Sequence, residues 1–139
     1  MSLLIDTNVL SELLRAAPAA AVLDWFSRQR RSELFVCAVT QAEMVVGAAL
    51  LPMGKRRQAL ERSLDGVFGE DFAGRILPFD ESAVPHYAHV RVARRKMGRP
   101  ISEFDAQIAA IALAHAMQFA TRNVADFADC GLDVVNPWD

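Results

Sequence analysis

The sequence predicts an α/β domain: a central, largely parallel sheet of four to five strands with helices on both faces. Three observations carry that. Short apolar runs rich in strand-favouring residues recur along the chain, as "SLLI", "ELFVCAV", "GRILPF", "QFATR" and "DVVN". Between them stand segments whose apolar residues repeat at helical spacing. Helix-start signatures punctuate the alternation, as "TQAE", Asp80 and "SEFD".

In chain order, "SLLI" reads as a buried strand that ends at Asp6. "TNVLSELLR" follows as a helix, with Val9, Leu10, Leu13 and Leu14 at helical spacing. Pro18 suits a helix start, and "AAAVLDWFSRQRR" is amphipathic through Val22, Leu23 and Phe26. "ELFVCAV" is the second strand. Thr40 then begins "TQAE", a capping box opening the helix "AEMVVGAALL". A further helix covers Lys55 to Leu64, and "GRILPF" is a short strand. Asp80 caps a long helix through about Lys96, with Pro85 near its first turn and Gly98 ending it. "SEFD" opens the apolar helix "AQIAAIALAHAM", and "QFATR" and "DVVN" supply the last strands.

The length of 139 residues suits one domain with a real core, and 53% hydrophobic against 23% charged residues describes a globular chain. The mean hydropathy of +0.16 raises the question of a membrane. The longest apolar stretch, "IAAIALAHAMQFA", is broken by His115 and Gln118 and falls short of the ~18 residues a spanning helix needs. "MSLLID" has no basic region and meets Asp6 too early for a signal peptide. Cys37 and Cys130 lie far apart without metal spacing, so they read as small buried hydrophobes. The expectation is a cytoplasmic protein with no membrane contact.

The acids fall in a pattern. Asp6 ends the first strand, and Glu43 starts the helix after the second. Asp105 sits in the first turn of the "SEFD" helix, and Asn123 and Asp126 follow "FATR". In a parallel sheet these positions share the carboxyl edge, where open α/β folds bind ligands. Each acid also has a bland reading, because carboxylates at helix starts are favoured by free N–H groups and the helix dipole. Capping does not account for a surplus of acids at one edge amid apolar surroundings. Several carboxylates converging without a cation raise one another's pKa, and Mg²⁺ or Mn²⁺ relieves that with oxygen ligands.

Other chemistries find less support. There is no dinucleotide-binding glycine fingerprint and no phosphate loop. His86 and His89 stand about one helical turn apart but belong to no zinc-protease pattern, and His115 reads as a core residue. Thr7 and Thr40 lack a histidine base nearby in sequence. Asn8 stands where phosphoaspartyl phosphatases usually carry a second Asp.

The blocks "LLIDTNVLSELLR", "AVTQAEMVVGAALL", "GRILPFDESA", "GRPISEFDAQIAAIALAHAMQFATRNVADF" and "GLDVVNPWD" resemble the VapC-like PIN-domain toxins, especially the branch that includes FitB. The resemblance runs from Leu3 to the C-terminus and implies a single PIN domain over residues 1–139. It implies a Mg²⁺- or Mn²⁺-dependent endoribonuclease, the toxin half of a type II toxin–antitoxin pair. The family's acidic centre maps onto Asp6, Glu43 and Asp105, with Asp6 and Asp105 on the metal and Glu43 beside them as a ligand or through water. At the fourth acidic position this chain offers the neutral Asn123 or, three residues on, Asp126. Thr7, Asn8 and Thr121 would orient the carboxylates.

An acidic centre repels RNA, so substrate binding calls on basic clusters. Arg94, Arg95, Lys96 and Arg99 precede Asp105 and are the first candidates; their bland reading is solubility and helix-end charge. The formal net charge of −2 does not itself advertise nucleic acid. The apolar surplus in "TNVLSELLR", "AAAVLDWFSR" and "EMVVGAALL" suggests a groove for a partner helix and a homodimer face. The resemblance implies a small VapB- or FitA-like antitoxin as that partner, which would also carry the operator-DNA contacts. Two rival functions use the same scaffold: a non-catalytic binding module acting only in an antitoxin–operator complex, and a DNA-directed nuclease.

Overall fold

A computed structural model describes residues 1–139. Five strands make one parallel sheet in the order β3-β2-β1-β4-β5. They are β1 (Leu3–Ile5), β2 (Leu34–Cys37), β3 (Ile76–Leu77), β4 (Gln118–Ala120) and β5 (Val134–Val135). Six helices connect and cover them: α1 (Thr7–Leu13), α2 (Ala20–Ser27), α3 (Ala38–Ala49), α4 (Lys55–Gly66), α5 (Val84–Lys96) and α6 (Glu103–Ala114).

Side chains along a strand alternate between faces, and that period builds two cores. Leu3, Ile5, Leu34 and Val36 point to one face, where they meet Val9, Leu10, Val22, Trp25 and Leu64 from α1, α2 and α4. Leu4, Cys37 and Phe119 point to the other, against Val90 of α5 and the Ala106–Ala112 stretch of α6. Both faces of β1 are covered, so its continuous apolar run is what a central parallel strand requires. α6 is apolar nearly all round because it lies against the middle of the sheet, and its alanines let it approach closely.

The order of strands fixes where a site can form. From β1 the chain first builds outward to β2 and β3, then returns to lay β4 on the opposite side of β1. The carboxyl ends of β1 and β4 therefore flank the topological switch point, the crevice in which open α/β sheets hold ligands.

Several expectations change on inspection. Thr40 does not cap a helix: α3 begins at Ala38, with Cys37 as its N-cap residue, and Thr40 lies fully buried in the first turn. The Thr-x-x-Glu spacing here serves a different contact, described below. His115 is exposed at the end of α6 and is no core residue. Pro18 lies one residue before the N-cap of α2, and Asp80 does not cap α5 itself. Ser102 caps α6 by accepting from the Asp105 N–H at 3.1 Å. Asp80 caps the short 3-10 turn Glu81–Ala83 that leads into α5. Gly98, at φ +73°, turns the chain after α5. Cys37 and Cys130 are both buried and free. No helix is long and apolar enough to cross a membrane.

Candidate active site

Asp6 stands at the switch point. β1 delivers it to the edge, where its N–H continues the sheet ladder to the Ala120 carbonyl at 2.9 Å. It is the N-cap residue of α1, but its Oδ1 accepts from the first helical N–H, that of Thr7, at 2.8 Å. That leaves Oδ2 for partners outside the helix. The Thr121 hydroxyl donates to it at 2.7 Å and the Asn8 amide at 3.2 Å. Thr121 follows directly on β4, so the two strands flanking the crevice are stitched together through this carboxylate.

Thr121 is itself held. Its oxygen accepts from the Asn123 N–H at 3.0 Å and from the Asn8 amide at 3.3 Å. Asn8 in turn accepts from the Arg122 N–H at 3.2 Å. Asn8 and Thr121 are thus reciprocal braces between α1 and the segment after β4.

Glu43 projects from the second turn of α3. The Thr7 hydroxyl donates to its Oε1 at 2.9 Å. A hydroxyl has one proton, so at the 3.0 Å contact between Thr7 and Thr40 it is Thr40 that donates. Thr40 also receives the Cys37 thiol at 3.6 Å. The relay from Cys37 through Thr40 and Thr7 to Glu43 explains why a hydroxyl three residues before Glu43 is buried rather than capping.

Asp105 comes from the first turn of α6 and is half-buried. Asp126 lies exposed on the short 3-10 turn Val124–Phe127. Asn123 precedes that turn; its main chain braces Thr121, while its side chain is exposed.

The electrostatics join these groups. Asp6 is only 4% exposed, and its carboxyl pKa is pushed up from 3.8 to about 6. Burial is the main cause. Asp105 and Glu43 add repulsion, against hydrogen bonds from Thr121 and Thr7 that favour the charged form. The Asp105 carboxyl is likewise raised, first by burial and then by the Asp126 charge, with the Ser102 hydroxyl and the Arg94 cation opposing. The four acids therefore sense one another in a chain, Glu43 to Asp6 to Asp105 to Asp126. No three acidic, histidine or cysteine side chains close into a compact ligand cage. The donors are all oxygen, the chemistry of a hard dication that keeps several waters and takes one or two carboxylates.

The basic candidates divide. Arg95 and Lys96 are exposed on the outward side of α5 and make no ion pair. Arg99 is exposed but paired with Asp129. Arg94 turns inward and is 5% exposed, an orientation that withholds it from a substrate. Sequence reasoning had a signal for this: Arg94 is one turn after Val90, which is buried on the same helix face.

Three features went unread in the sequence. Thr40 is a brace. Arg122 lies with its guanidinium carbon 4.8 Å from the centre of the Trp138 ring, next to the residue that holds Asp6. Glu12 is buried, accepting from the Ala19 N–H at 3.0 Å and pairing with Arg15 at 3.2 Å. It ties α1 to the start of α2, and these donors hold its carboxyl below the usual range, the Ala19 N–H most of all.

Comparison with known proteins adds to this geometry. The PIN-domain family model matches residues 3–130. A VapC ribonuclease of Sinorhizobium fredii is 42% identical over 99% of this chain and 98% of its own. Toxin FitB of Neisseria gonorrhoeae is 39% identical over 98% of each chain. In a structure of FitAB bound to a DNA fragment, one chain superposes with a TM-score of 0.92 at 39% identity, covering 99% of this chain and 96% of that one.

Proposed function

We propose, because this chain belongs to the PIN-domain family as a VapC-like toxin of the FitB branch, that it is a Mg²⁺- or Mn²⁺-dependent endoribonuclease, the toxin of a type II toxin–antitoxin pair. One observation carries the reading. A buried carboxylate sits at the switch point of the sheet, fixed through both oxygens, with two more acids close enough to raise its proton affinity. Charge of one sign gathered in a low-dielectric crevice calls for a cation.

Asp6 and Asp105 would hold the dication, with Glu43 as a further ligand or through water. When bound, the metal offsets charge on the scissile phosphate and makes a water acidic enough to ionise near neutral pH. The protein's own groups do the rest. Thr121 and Asn8 keep Asp6 in place, and Thr7 aims Glu43. Glu43 or Asp126 accepts the proton of the attacking water. The water oxygen bonds to phosphorus in line with the bond that breaks, from phosphorus to the 3′ oxygen. The products are a 5′-phosphate and a 3′-hydroxyl.

Arg95 and Lys96, the free cations at the end of α5, would draw RNA toward this edge. Two apolar surfaces suit the partners. One groove is lined by Leu10, Leu13, Leu14, Leu23, Phe26 and Phe72 between α1, α2 and the turn after α4, and would take an antitoxin helix. The other joins α3 and α6, where Val46, Leu50 and Phe104 are 56%, 79% and 56% exposed, and would meet a second copy. The antitoxin, not this chain, would carry the operator contacts.

The test is to incubate antitoxin-free protein with total RNA, with Mg²⁺ or with chelator, and to map the ends. Cuts that need the metal and leave 5′-phosphates are expected. Absence of metal-dependent cuts across RNA preparations and ionic strengths would favour a binding module. Cuts in DNA alone would favour a DNA-directed nuclease.

A further inference from the structure

The most unusual charge in the molecule is Arg94. Its guanidinium is buried, yet no carboxylate lies within ion-pairing distance. A buried cation without an anionic partner is costly, so its surroundings should show what compensates it.

They do. Nε donates to the Arg99 carbonyl at 2.8 Å. Nη1 donates to the Asp126 carbonyl at 2.7 Å and to the Ala128 carbonyl at 3.1 Å, with the Cys130 sulfur at 3.6 Å. The first contact closes the turn between α5 and α6, just before Asp105. The others grip the end of the 3-10 turn that carries Asp126. Carbonyls at the end of such a turn have no partner within it, and a cation there is favoured. The Asp126 side chain is exposed and takes part in no ion pair. Its position rests on the main chain that Arg94 holds.

We infer that Arg94 is a positioning residue of the acidic centre: it fixes the turn bearing Asp126 against the turn that leads from α5 to the helix bearing Asp105. A neutral donor could make one of these hydrogen bonds. Only a guanidinium, with its rigid fork of donors, makes them together. This rests on the metal-site reading above, and goes beyond it by assigning how the fourth acid is held.

The experiment is a double-substitution cycle read by Mn²⁺ affinity, with free Mn²⁺ measured by electron paramagnetic resonance. The proteins are the wild type, Arg94→Gln, Asp126→Asn, the double variant and Asp6→Asn. Folding is checked for each by thermal melting. Arg94→Gln should weaken Mn²⁺ binding roughly tenfold, the scale seen when supporting interactions at metal sites are removed. The double variant should bind about as Asp126→Asn alone, because the two act through one turn. Arg94→Lys, which keeps the charge but not the fork, covers the case in which Arg94→Gln does not fold. It should fall between wild type and Asp126→Asn.

Additive losses, or unchanged affinity in a folded Arg94→Gln or Arg94→Lys, would overturn the positioning role. Wild-type binding that Asp6→Asn abolishes would then leave the metal-site reading standing. If the wild type itself binds no Mn²⁺, both fall.

Discussion

Asp6 sets the terms at the scale of a residue. Its carboxyl is held near pKa 6 in the folded chain, against 3.8 when unconstrained. The folded state therefore binds more protons between these values than the unfolded one, and metal-free stability falls as pH rises from about 4 to beyond 6. The full loss is on the order of 3 kcal/mol. Asp6→Asn removes the charge, keeps one acceptor oxygen and turns the other position into a donor among the Thr7, Asn8 and Thr121 donors. In chelator its stability should vary less with pH between 4 and 6 than that of the wild type. Divalent cation should raise the wild-type melting temperature and leave that of Asp6→Asn unmoved. A wild type that gains metal-free stability through this window would show that Asp6 is not the strained group. Thr121→Val removes the 2.7 Å donor to Asp6 and leaves the Asn123 N–H without its acceptor. It should cost about 1–3 kcal/mol in chemical denaturation.

At the scale of elements, α5 shows how one helix divides its charges. Val90 and Arg94 share the inward face, while Arg95 and Lys96 face out. Neutralising the outward pair, Arg95→Ala with Lys96→Ala, should reduce the salt slope of RNA binding by roughly 0.7 for each phosphate that the pair had neutralised. An unchanged slope would exclude them from the RNA path. Ser102 caps α6 and so sets the first turn from which Asp105 emerges. Ser102→Ala should destabilise by about 1 kcal/mol.

These elements also show what a sequence can and cannot disclose. "SLLID" was legible because an apolar run ending in an acid has few explanations. Ser102 was legible because capping is local. Thr40 was not, because Thr-x-x-Glu has the same spacing inside a helix as at its start, and only the approach of Thr7 from α1 decides between them. Arg94 was read with its exposed neighbours because a run of basic residues masks the one that shares a helix face with Val90. Its partners at Asp126 and Ala128 lie more than thirty residues away along the chain.

For the whole molecule, the strand order decides the outcome. Placing β4 beside β1 brings Thr121 to Asp6, a contact 115 residues apart in sequence, and so makes one site from two chain segments. Strand and helix types could be read locally, but that adjacency is a tertiary fact. The same layering leaves Leu50 and Phe104 outside both cores, on the α3–α6 face beside Glu43. If a second copy covers that face, Leu50→Glu with Phe104→Glu should convert a dimer to a monomer in sedimentation velocity while the melting temperature of the fold changes little. A monomeric wild type would show that this face meets no second copy.

If Asp6 and Asp105 make a metal site that cuts RNA, cleavage needs both. The most direct measurement is the single-turnover cleavage rate of a defined RNA at saturating Mg²⁺ for the wild type, Asp6→Asn and Asp105→Asn, with melting curves run beside them. Rates for both variants at the level of the metal-free control, in proteins that remain folded, are the expected result. Cleavage by either folded variant at the wild-type rate would contradict the claim.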